Sequence, residues 1–211
     1  MNTAPSDRTR IRRIAENAAY DRETLYAIID EAYLCQIAFA DARGTHCIPM
    51  ACWREDDYLY IHGSNGGRLV KQLLGGTQVC VNITHLDGLV LARSALHHSM
   101  NYRSVVIYGR FEAVTEPAYK LASLRAFIDG LYPGRWDTLR PINDKELNAT
   151  TVLRIALDEA SAKVRDWGVK DDEEDLQWPV WAGVIPLRTV TGAPEIEHDS
   201  VGKAVPPTRF G

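Results

Sequence analysis

One polar segment concentrates the side chains of this chain that are best suited to chemistry. Residues 97–109 read HHSMNYRSVVIYG, so imidazoles, hydroxyls, an amide and a guanidinium lead into an apolar strand that ends at Gly109. The candidate groups are His97, His98, Ser99, Asn101, Tyr102, Arg103 and Ser104. Such a segment can hold a ligand, or it can be a solvated loop that caps the strand, and taken alone it does not distinguish the two.

A second cluster of similar composition follows an independent predicted strand. Residues 62–68 read HGSNGGR and precede a short helix predicted over residues 68–74. The unpaired amide groups of a first helical turn and the helix dipole favour an anion. The candidate ligands are His62, Gly63, Ser64, Gly67 and Arg68, and Lys71 lies one helical turn further on. The cluster therefore predicts an anion site, the alternative being a surface loop before a helix.

Composition limits the class of protein. The 211 residues are 45% hydrophobic, which suits one domain with a substantial core. With 24 basic and 28 acidic residues the net charge is −4, which argues against a nucleic-acid binder held by a general positive field. The start of the sequence lacks the apolar segment of a signal peptide, and no apolar run approaches the roughly 20 residues of a membrane helix. We therefore expect a cytoplasmic protein without membrane or nucleic-acid partners.

Four cysteines lie singly in apolar, strand-like segments. Cys35, Cys47, Cys52 and Cys80 have no CxxC spacing and no histidine pair at ligand spacing beside them. This arrangement argues against a zinc site or a disulfide framework. We expect reduced and mostly buried thiols, and no metal held by these side chains.

Hydrophobic periodicity predicts a mainly β chain with flanking helices. Asp21 is a typical N-cap before a helix over residues 22–32, and Pro117 begins a helix over residues 118–131. Pro49 lies inside a predicted strand, which requires a sheet edge, a bulge or an opening for a ligand. The predicted strands cover residues 34–40, 46–53, 58–62, 78–84, 89–92, 105–114, 151–163 and 179–187.

The chain divides into three predicted segments. Residues 1–19, which carry four arginines, are typical of an arm lying on another surface or of a disordered terminus. Residues 20–188 form the folded domain, and residues 189–211 form a tail rich in Gly, Pro and charge. The acidic run at residues 171–175 is predicted to be a solvated loop.

The order of these elements resembles the FMN-binding split-barrel family related to pyridoxamine 5′-phosphate oxidase. Within that family it is most similar to the branch of flavin-nucleotide-binding proteins and nitroimidazole-resistance reductases. The segments that carry the likeness are CIPMACW (47–53), LYIHGS (59–64) with the following Gly67-Arg68, THLDGLVLARSALHHSMNYRSVVIYG (84–109), EASAKVR (159–165) and PVWAGVIPL (179–187). The resemblance implies a six-stranded antiparallel split β-barrel of Greek-key type. It also implies a homodimer with FMN at the subunit interface.

The resemblance further implies a set of cofactor contacts. Pro49, Met50, Ala51 and Cys52 correspond to the strand that runs along the flavin, and the cluster at residues 62–71 corresponds to the phosphate site. Arg103 and Ser104 occupy the place of an Arg-Gln pair, and Trp181 resembles the tryptophan that the partner subunit lays near the flavin. These types suit FMN, because its dianionic phosphate binds cations and N–H groups while its ring needs an apolar wall.

One departure from the family pattern bears on the substrate. The oxidases have an Arg-x-His motif after the final tryptophan, whereas Val184, Ile185, Pro186 and Leu187 follow Trp181 here. The departure argues against oxidation of pyridoxamine 5′-phosphate.

Three functions therefore remain as hypotheses. The favoured one is an FMN-dependent oxidoreductase that reduces a small flat acceptor such as a nitroaromatic or a quinone, with His97, His98 and Tyr102 as candidate proton donors. The alternatives are a flavin carrier or sensor without turnover, and a split barrel in which a histidine ligates haem iron.

Overall fold

The computed structural model describes residues 3–197, and its centre is a curled antiparallel sheet. The strands are β1 (Ala18–Ala19), β2 (Leu34–Asp41), β3 (Gly44–Glu55), β4 (Tyr58–Ser64), β5 (Val79–Leu91), β6 (Ser99–Gly109), β7 (Glu112–Ala113), β8 (Thr150–Ala156), β9 (Ala160–Arg165) and β10 (Gly183–Pro186). The helices are α1 (Arg22–Asp30), α2 (Arg68–Leu74), α3 (Pro117–Leu131) and α4 (Asp144–Ala149). None of the helices in this described part is long and apolar enough to cross a membrane.

The strand order is β1-β9-β6-β5-β2-β3-β4-β8-β7, and β10 pairs with β5. All these pairings are antiparallel. The predicted class, a mainly β split barrel with flanking helices, is confirmed, but the expected count of six strands is too low, because the described sheet has ten. The additional strands include β1 and β7, which are two residues long and have no periodic pattern of their own.

Several strand boundaries differ from the prediction, and β10 covers only part of the strand predicted over residues 179–187. Residues 78–84 and 89–92 belong to one strand, β5, and the predicted turn between them is a bulge at Leu86 and Gly88. The polar residues from Ser99 lie inside β6 rather than before it, because β5 pairs with β6 along its whole length. The predicted strand over residues 105–114 ends at Gly109, and residues 151–163 form two strands, β8 and β9.

The main core fills the space between α1 and the barrel strands. Asp21 caps α1 by accepting a hydrogen bond from Thr24 N at 2.8 Å, as the sequence predicts. The buried face of α1 consists of Leu25, Ile28 and Ile29, which contact the strand side chains of the same cluster. A second cluster lies under α3 and contains Trp53, Tyr60, Val114, Leu124 and Val152.

The N-terminal segment lies on the chain's own barrel. β1 pairs with β9, so that Ala18 faces Lys163 and Ala19 faces Ala162. Lys163 Nζ donates to the carbonyl of Arg13 at 3.0 Å. These contacts are made with β9 of the same chain, and the interpretation of residues 1–19 as an arm on another surface stays a prediction.

All four cysteines are free thiols, but they differ in exposure. Cys35 and Cys52 are buried, Cys80 is partly buried, and Cys47 is exposed. The expectation of mostly buried thiols is therefore wrong for Cys47, which lies on the outward-facing side of β3. A hydrogen bond to Cys52, together with burial, raises the pKa of the Cys35 thiol.

Candidate functional site

The first half of β3 has an open edge. Within the described residues, Gly44–Ala51 pair with β2 alone, and pairing with β4 begins at Cys52 opposite Ile61. Pro49 is exposed on this edge, as its lack of an N–H donor requires, while Met50 packs against the core. The backbone of Pro49, Met50 and Ala51 is thus accessible along one side, whereas Cys52 is buried.

A group of basic side chains surrounds the start of α2. Arg68 is the first residue of the helix, its side chain is 44% exposed, and its Nη1 lies 3.6 Å from Asp41 Oδ2. Lys71, one turn on, is exposed, and Arg43 also contacts Asp41. Hydrogen bonds from Arg43 and His46 hold the pKa of Asp41 well below its usual range. One carboxylate therefore faces several cations, and the site retains positive charge for an anion.

The glycines of this turn allow the chain to pass close to α2. A Cβ on Gly63 would lie 2.7 Å from Val70 Cγ2, and one on Gly67 would lie 3.0 Å from the carbonyl of Ser64. Gly67 N donates to that carbonyl at 2.8 Å, which closes the turn after β4. Ser64 is exposed at the end of the strand. The predicted cluster is thus a tight strand-to-helix turn with its cations outward.

His62 packs away from these cations. Its ring lies 4.9 Å from Phe127 and 5.9 Å from Trp53, centre to centre, in the layer between the sheet and α3. Its Nδ1 is buried and has no hydrogen-bond partner among the described residues. Burial lowers the pKa of His62, so the imidazole is neutral near pH 7. Its assignment to the phosphate site stays a prediction, and the packing gives no support for it.

Arg103 has partners that the sequence did not reveal. Its Nε and Nη2 each donate to Asp87 at 2.9 Å, and its Nη1 and Nη2 donate to Glu31. These carboxylates, Asp87 first and then Glu31, raise the pKa of the guanidinium further. Two adjoining clefts of about 380 and 240 Å³ share Glu31, His85 and Thr189 in their walls. Arg103 thus lies at a polar cleft, but with its charge already compensated.

The neighbours of Arg103 on β6 are also engaged. Asn101 is buried and accepts a hydrogen bond from the guanidinium of Arg165. Ser104 Oγ lies 3.4 Å from the carbonyl of Lys163, and Tyr102 pairs with Arg165 across the ladder. These contacts connect β6 with β9. The assignment of Asn101, Tyr102 and Ser104 to the cofactor stays a prediction.

The two adjacent histidines before β6 differ in their hydrogen bonds. His97 Nε2 lies 3.0 Å from Asp172 Oδ2, and the ligand atoms of His97, Asp172 and Asp175 lie within 4.8 Å of one another. His98 Nδ1 lies 2.9 Å from the carbonyl of Ser94, and the ring is exposed. A carbonyl only accepts, so this contact fixes the proton on Nδ1 and leaves the Nε2 lone pair free.

The acidic run at residues 171–175 is not wholly solvated, contrary to the prediction. The side chain of Asp171 is only 1% exposed, because Arg93 donates to it through its backbone N at 2.9 Å and through Nη1 at 2.7 Å. Arg93 lies 78 residues earlier in the chain, so nothing local in the sequence marks the pair. The contact ties the start of the acidic loop to the end of β5.

An apolar surface lies on one face of β6, β5 and β10. The register places Met100 opposite Leu89, and Leu89 opposite Ile185. In the next row, Leu91 lies opposite Gly183, where an added Cβ would lie 2.8 Å from the indole of Trp181. Met100 is 54%, Ile185 43% and Trp181 62% exposed. We call this surface, formed by Leu89, Leu91, Met100, Trp181, Gly183 and Ile185, the apolar shelf.

The curled antiparallel sheet with its flanking helices has the architecture of a split barrel. A family model described as pyridoxamine 5′-phosphate oxidase matches residues 21–164, and the chain belongs to that family. No curated protein matches the sequence.

Solved structures give a narrower set of relatives. The flavocytochrome Anf3 from Azotobacter vinelandii is 42% identical over 99% of both chains, with a TM-score of 0.92. The FAD and haem binding protein from Mycobacterium smegmatis is 36% identical over 90% of this chain and 94% of that one, with a TM-score of 0.85. A structure from Bacteroides thetaiotaomicron, described as a 5-nitroimidazole antibiotic resistance protein, is 22% identical over 70% of this chain and 86% of that one, with a TM-score of 0.59. This last likeness extends to the fold alone.

Proposed function

We propose that this protein is a flavocytochrome, a redox protein that binds a flavin and a haem. The observation that carries the proposal is the 42% identity to a flavocytochrome along 99% of both chains. The relative that binds FAD and haem, 36% identical, supports the same pair of cofactors. Two of the sequence hypotheses, the flavin protein and the haem-binding barrel, are thereby combined in one molecule.

The residues present fit a flavin. The basic side chains at the start of α2, Arg68, Lys71 and Arg43, suit a phosphate or pyrophosphate, and charged hydrogen bonds to such groups are the strong ones. The open backbone edge at Pro49–Ala51 offers N–H and C=O groups to the polar rim of a flavin ring. We propose FAD rather than the FMN expected from the sequence, because the relative whose flavin is named binds FAD.

The residues present also fit a haem. Iron in haem takes an axial ligand such as a histidine, and the porphyrin needs an apolar surface. His98 has a free Nε2 and a fixed Nδ1 proton, and exposed apolar side chains of the shelf lie on the neighbouring strands. A flavin supplies two-electron chemistry and a haem supplies one-electron chemistry. The protein's own contribution is to bind both groups, orient them and compensate their charges.

We further propose a homodimer, in which a second copy of the chain covers apolar surface that is exposed to solvent in the monomer. Trp178 and Val180 are each about half exposed or more, in the irregular segment before β10. Contiguous apolar surface of this kind is typical of an interaction site. The flavin would then lie between two barrels, as the resemblance implies.

The absorption spectrum of the purified protein tests the proposed function. We expect a sharp Soret band together with the two broad visible bands of an oxidised flavin, and FAD on acid extraction followed by chromatography. Protein that is supplied with haem during expression and still lacks a Soret band contradicts the haem assignment. FMN in the extract would keep the flavin assignment and overturn FAD.

A further inference from the structure

The five histidines among residues 3–197 differ in which ring nitrogen is free. Nε2 of His46 contacts Asp41, Nε2 of His85 contacts the carbonyl of Ile28, and Nε2 of His97 contacts Asp172. His62 has its Nδ1 enclosed beside Trp53 and Phe127. His98 combines a hydrogen-bonded Nδ1 with an exposed ring. A histidine that ligates a metal usually donates its other N–H to a carbonyl or carboxylate. Among the described histidines, His98 is the exposed one in which that contact leaves the outer ring nitrogen, Nε2, unpaired.

The position of His98 in the sheet places it beside the apolar shelf. Ser99 pairs with Val90, so one further step of the same register sets His98 next to Leu91, whose partner on β10 is Gly183. Met100 follows two residues later, and side chains two apart on a strand share a face. Leu96, on the other side of His98, is 87% exposed. Nε2 of His98 therefore lies at the edge of a solvent-exposed apolar surface that spans β6, β5 and β10.

We infer that Nε2 of His98 is an axial ligand of the haem iron and that the apolar shelf contacts the porphyrin. The inference builds on the proposed function, since it names the residue that holds one of its two cofactors. Ser94 acts through its carbonyl as the orienting acceptor for Nδ1–H. Contact with the porphyrin explains why Met100, Ile185 and Trp181 are apolar although they are exposed in the single chain. His97, one residue earlier, is less accessible: its Nε2 is paired with Asp172, so only Nδ1, the ring nitrogen next to its own Cβ, is left for a ligand.

Haem titration of three purified proteins tests the inference, with wild type compared with His98→Ala and His97→Ala. We expect wild type and His97→Ala to bind within about twofold of each other, as the His97 nitrogen is not used. His98→Ala should bind haem at least about tenfold more weakly, or with a displaced Soret band. Even replacing a residue that contacts a metal ligand lowers metal affinity or activity about 10–100-fold. Added imidazole should restore the Soret position of His98→Ala and leave His97→Ala unchanged.

Folding and flavin binding are measured in the same samples. If His98→Ala keeps the flavin content and the circular dichroism of wild type, it is folded, and a lost Soret band then reports lost haem binding. His98→Gln provides a second variant, of similar size to wild type. Haem bound by His98→Ala with an unchanged spectrum and affinity overturns the inference alone. Wild type that binds no haem overturns the haem part of the proposed function and the role of His98 with it.

Discussion

Arg68 and Arg103 have side chains of the same type in opposite electrostatic surroundings. Arg103 donates to both Asp87 and Glu31, so two carboxylates face one guanidinium. Arg68 is 3.6 Å from Asp41, and that carboxylate is shared with Arg43 and His46. Arg68 therefore keeps donors for an added anion, while Arg103 serves to join α1, β5 and β6.

We accordingly expect Arg68→Ala to weaken flavin binding more than Arg103→Ala. Loss of a charged hydrogen bond typically costs about 1.5–3 kcal/mol, or roughly one to two decades in affinity. Arg103→Ala should instead lower the free energy of unfolding, because Glu31 and Asp87 are left facing each other. Flavin fluorescence titration and urea unfolding of both variants measure the two effects. Equal or reversed losses of flavin affinity would locate the phosphate elsewhere.

The buried imidazole of His62 makes stability depend on pH. Burial holds its pKa below the ordinary value of 6.5, so the unfolded chain takes up a proton at this residue more readily than the folded one. Its contribution is therefore complete above pH 6.5 and is lost as the pH falls below that value. His62→Phe should reduce the difference in unfolding free energy between pH 7.5 and pH 5.5. A His62 proton resonance that titrates at or above pH 6.5 in the folded protein would contradict this.

The residue types of the site could be predicted from the sequence, but their partners could not. Arg68, Lys71 and the glycines at residues 63–67 form a local pattern, and the structure keeps them together. The partners of Arg103 lie 16 and 72 residues away, and Asp171 binds an arginine 78 residues away. Charge compensation of this kind depends on strand register, which a linear pattern does not contain.

At the scale of elements, the contact between β4 and α2 depends on the absence of a side chain. Gly63 lies on β4, and its missing Cβ leaves room for Val70 of α2, which is 3% exposed. Gly130, near the end of α3, has nothing within 4 Å of an added Cβ. An alanine side chain would therefore be crowded at residue 63 but not at residue 130, and the second position serves as a control for the first.

We expect Gly63→Ala to destabilise the protein by about 1–3 kcal/mol, the usual cost of overpacking a core. Gly130→Ala should be neutral or stabilising by up to about 1 kcal/mol, because alanine is the better helix former. Thermal and urea unfolding of both variants give the comparison. A Gly63→Ala protein as stable as wild type would show that α2 moves freely against β4.

Three of the four described helices were predicted more accurately than the strands because their signals are local, whereas α4 was not predicted. The cap at Asp21, the proline at residue 117 and the apolar spacing of residues 68–74 locate α1, α3 and α2 to within two residues. The strand β5 was divided in the prediction because Asp87-Gly88 has the sequence of a turn. In the folded chain β5 continues past these residues as one strand with a bulge, because β6 pairs with it on one side and β10 on the other.

At the scale of the whole molecule, we expect two copies of the chain to associate. The exposed side chains of Trp178 and Val180, outside the shelf, give an apolar surface that a closed two-fold dimer would cover. Light scattering at micromolar concentration should give twice the mass of the chain, 23.6 kDa. A monomer under those conditions contradicts the dimer and leaves the family assignment intact.

We also expect little or no oxidation of pyridoxamine 5′-phosphate. The segment after Trp181 presents Val184 and Ile185 to β5, and no histidine follows there. Two basic residues of β9 are already engaged, because Lys163 donates to the carbonyl of Arg13 and Arg165 to Asn101, Trp167 and Gly168. A desolvated phosphate without partners costs several kcal/mol. Steady-state assays against pyridoxamine phosphate, with a nitroaromatic plus reduced nicotinamide as comparison, measure this; rapid turnover of the phosphate substrate would contradict it.

The pairing of β1 with β9 has a consequence for synthesis on the ribosome. Ala18 and Ala19 emerge well before their partners, Lys163 and Ala162, which are made about 140 positions later. The beginning of the chain must therefore wait until most of the barrel has been translated, and contacts of such long range form slowly. A nascent chain halted before β9 would carry its first strand unpaired, so its arginine-rich start would remain accessible to chaperones and proteases until elongation resumes.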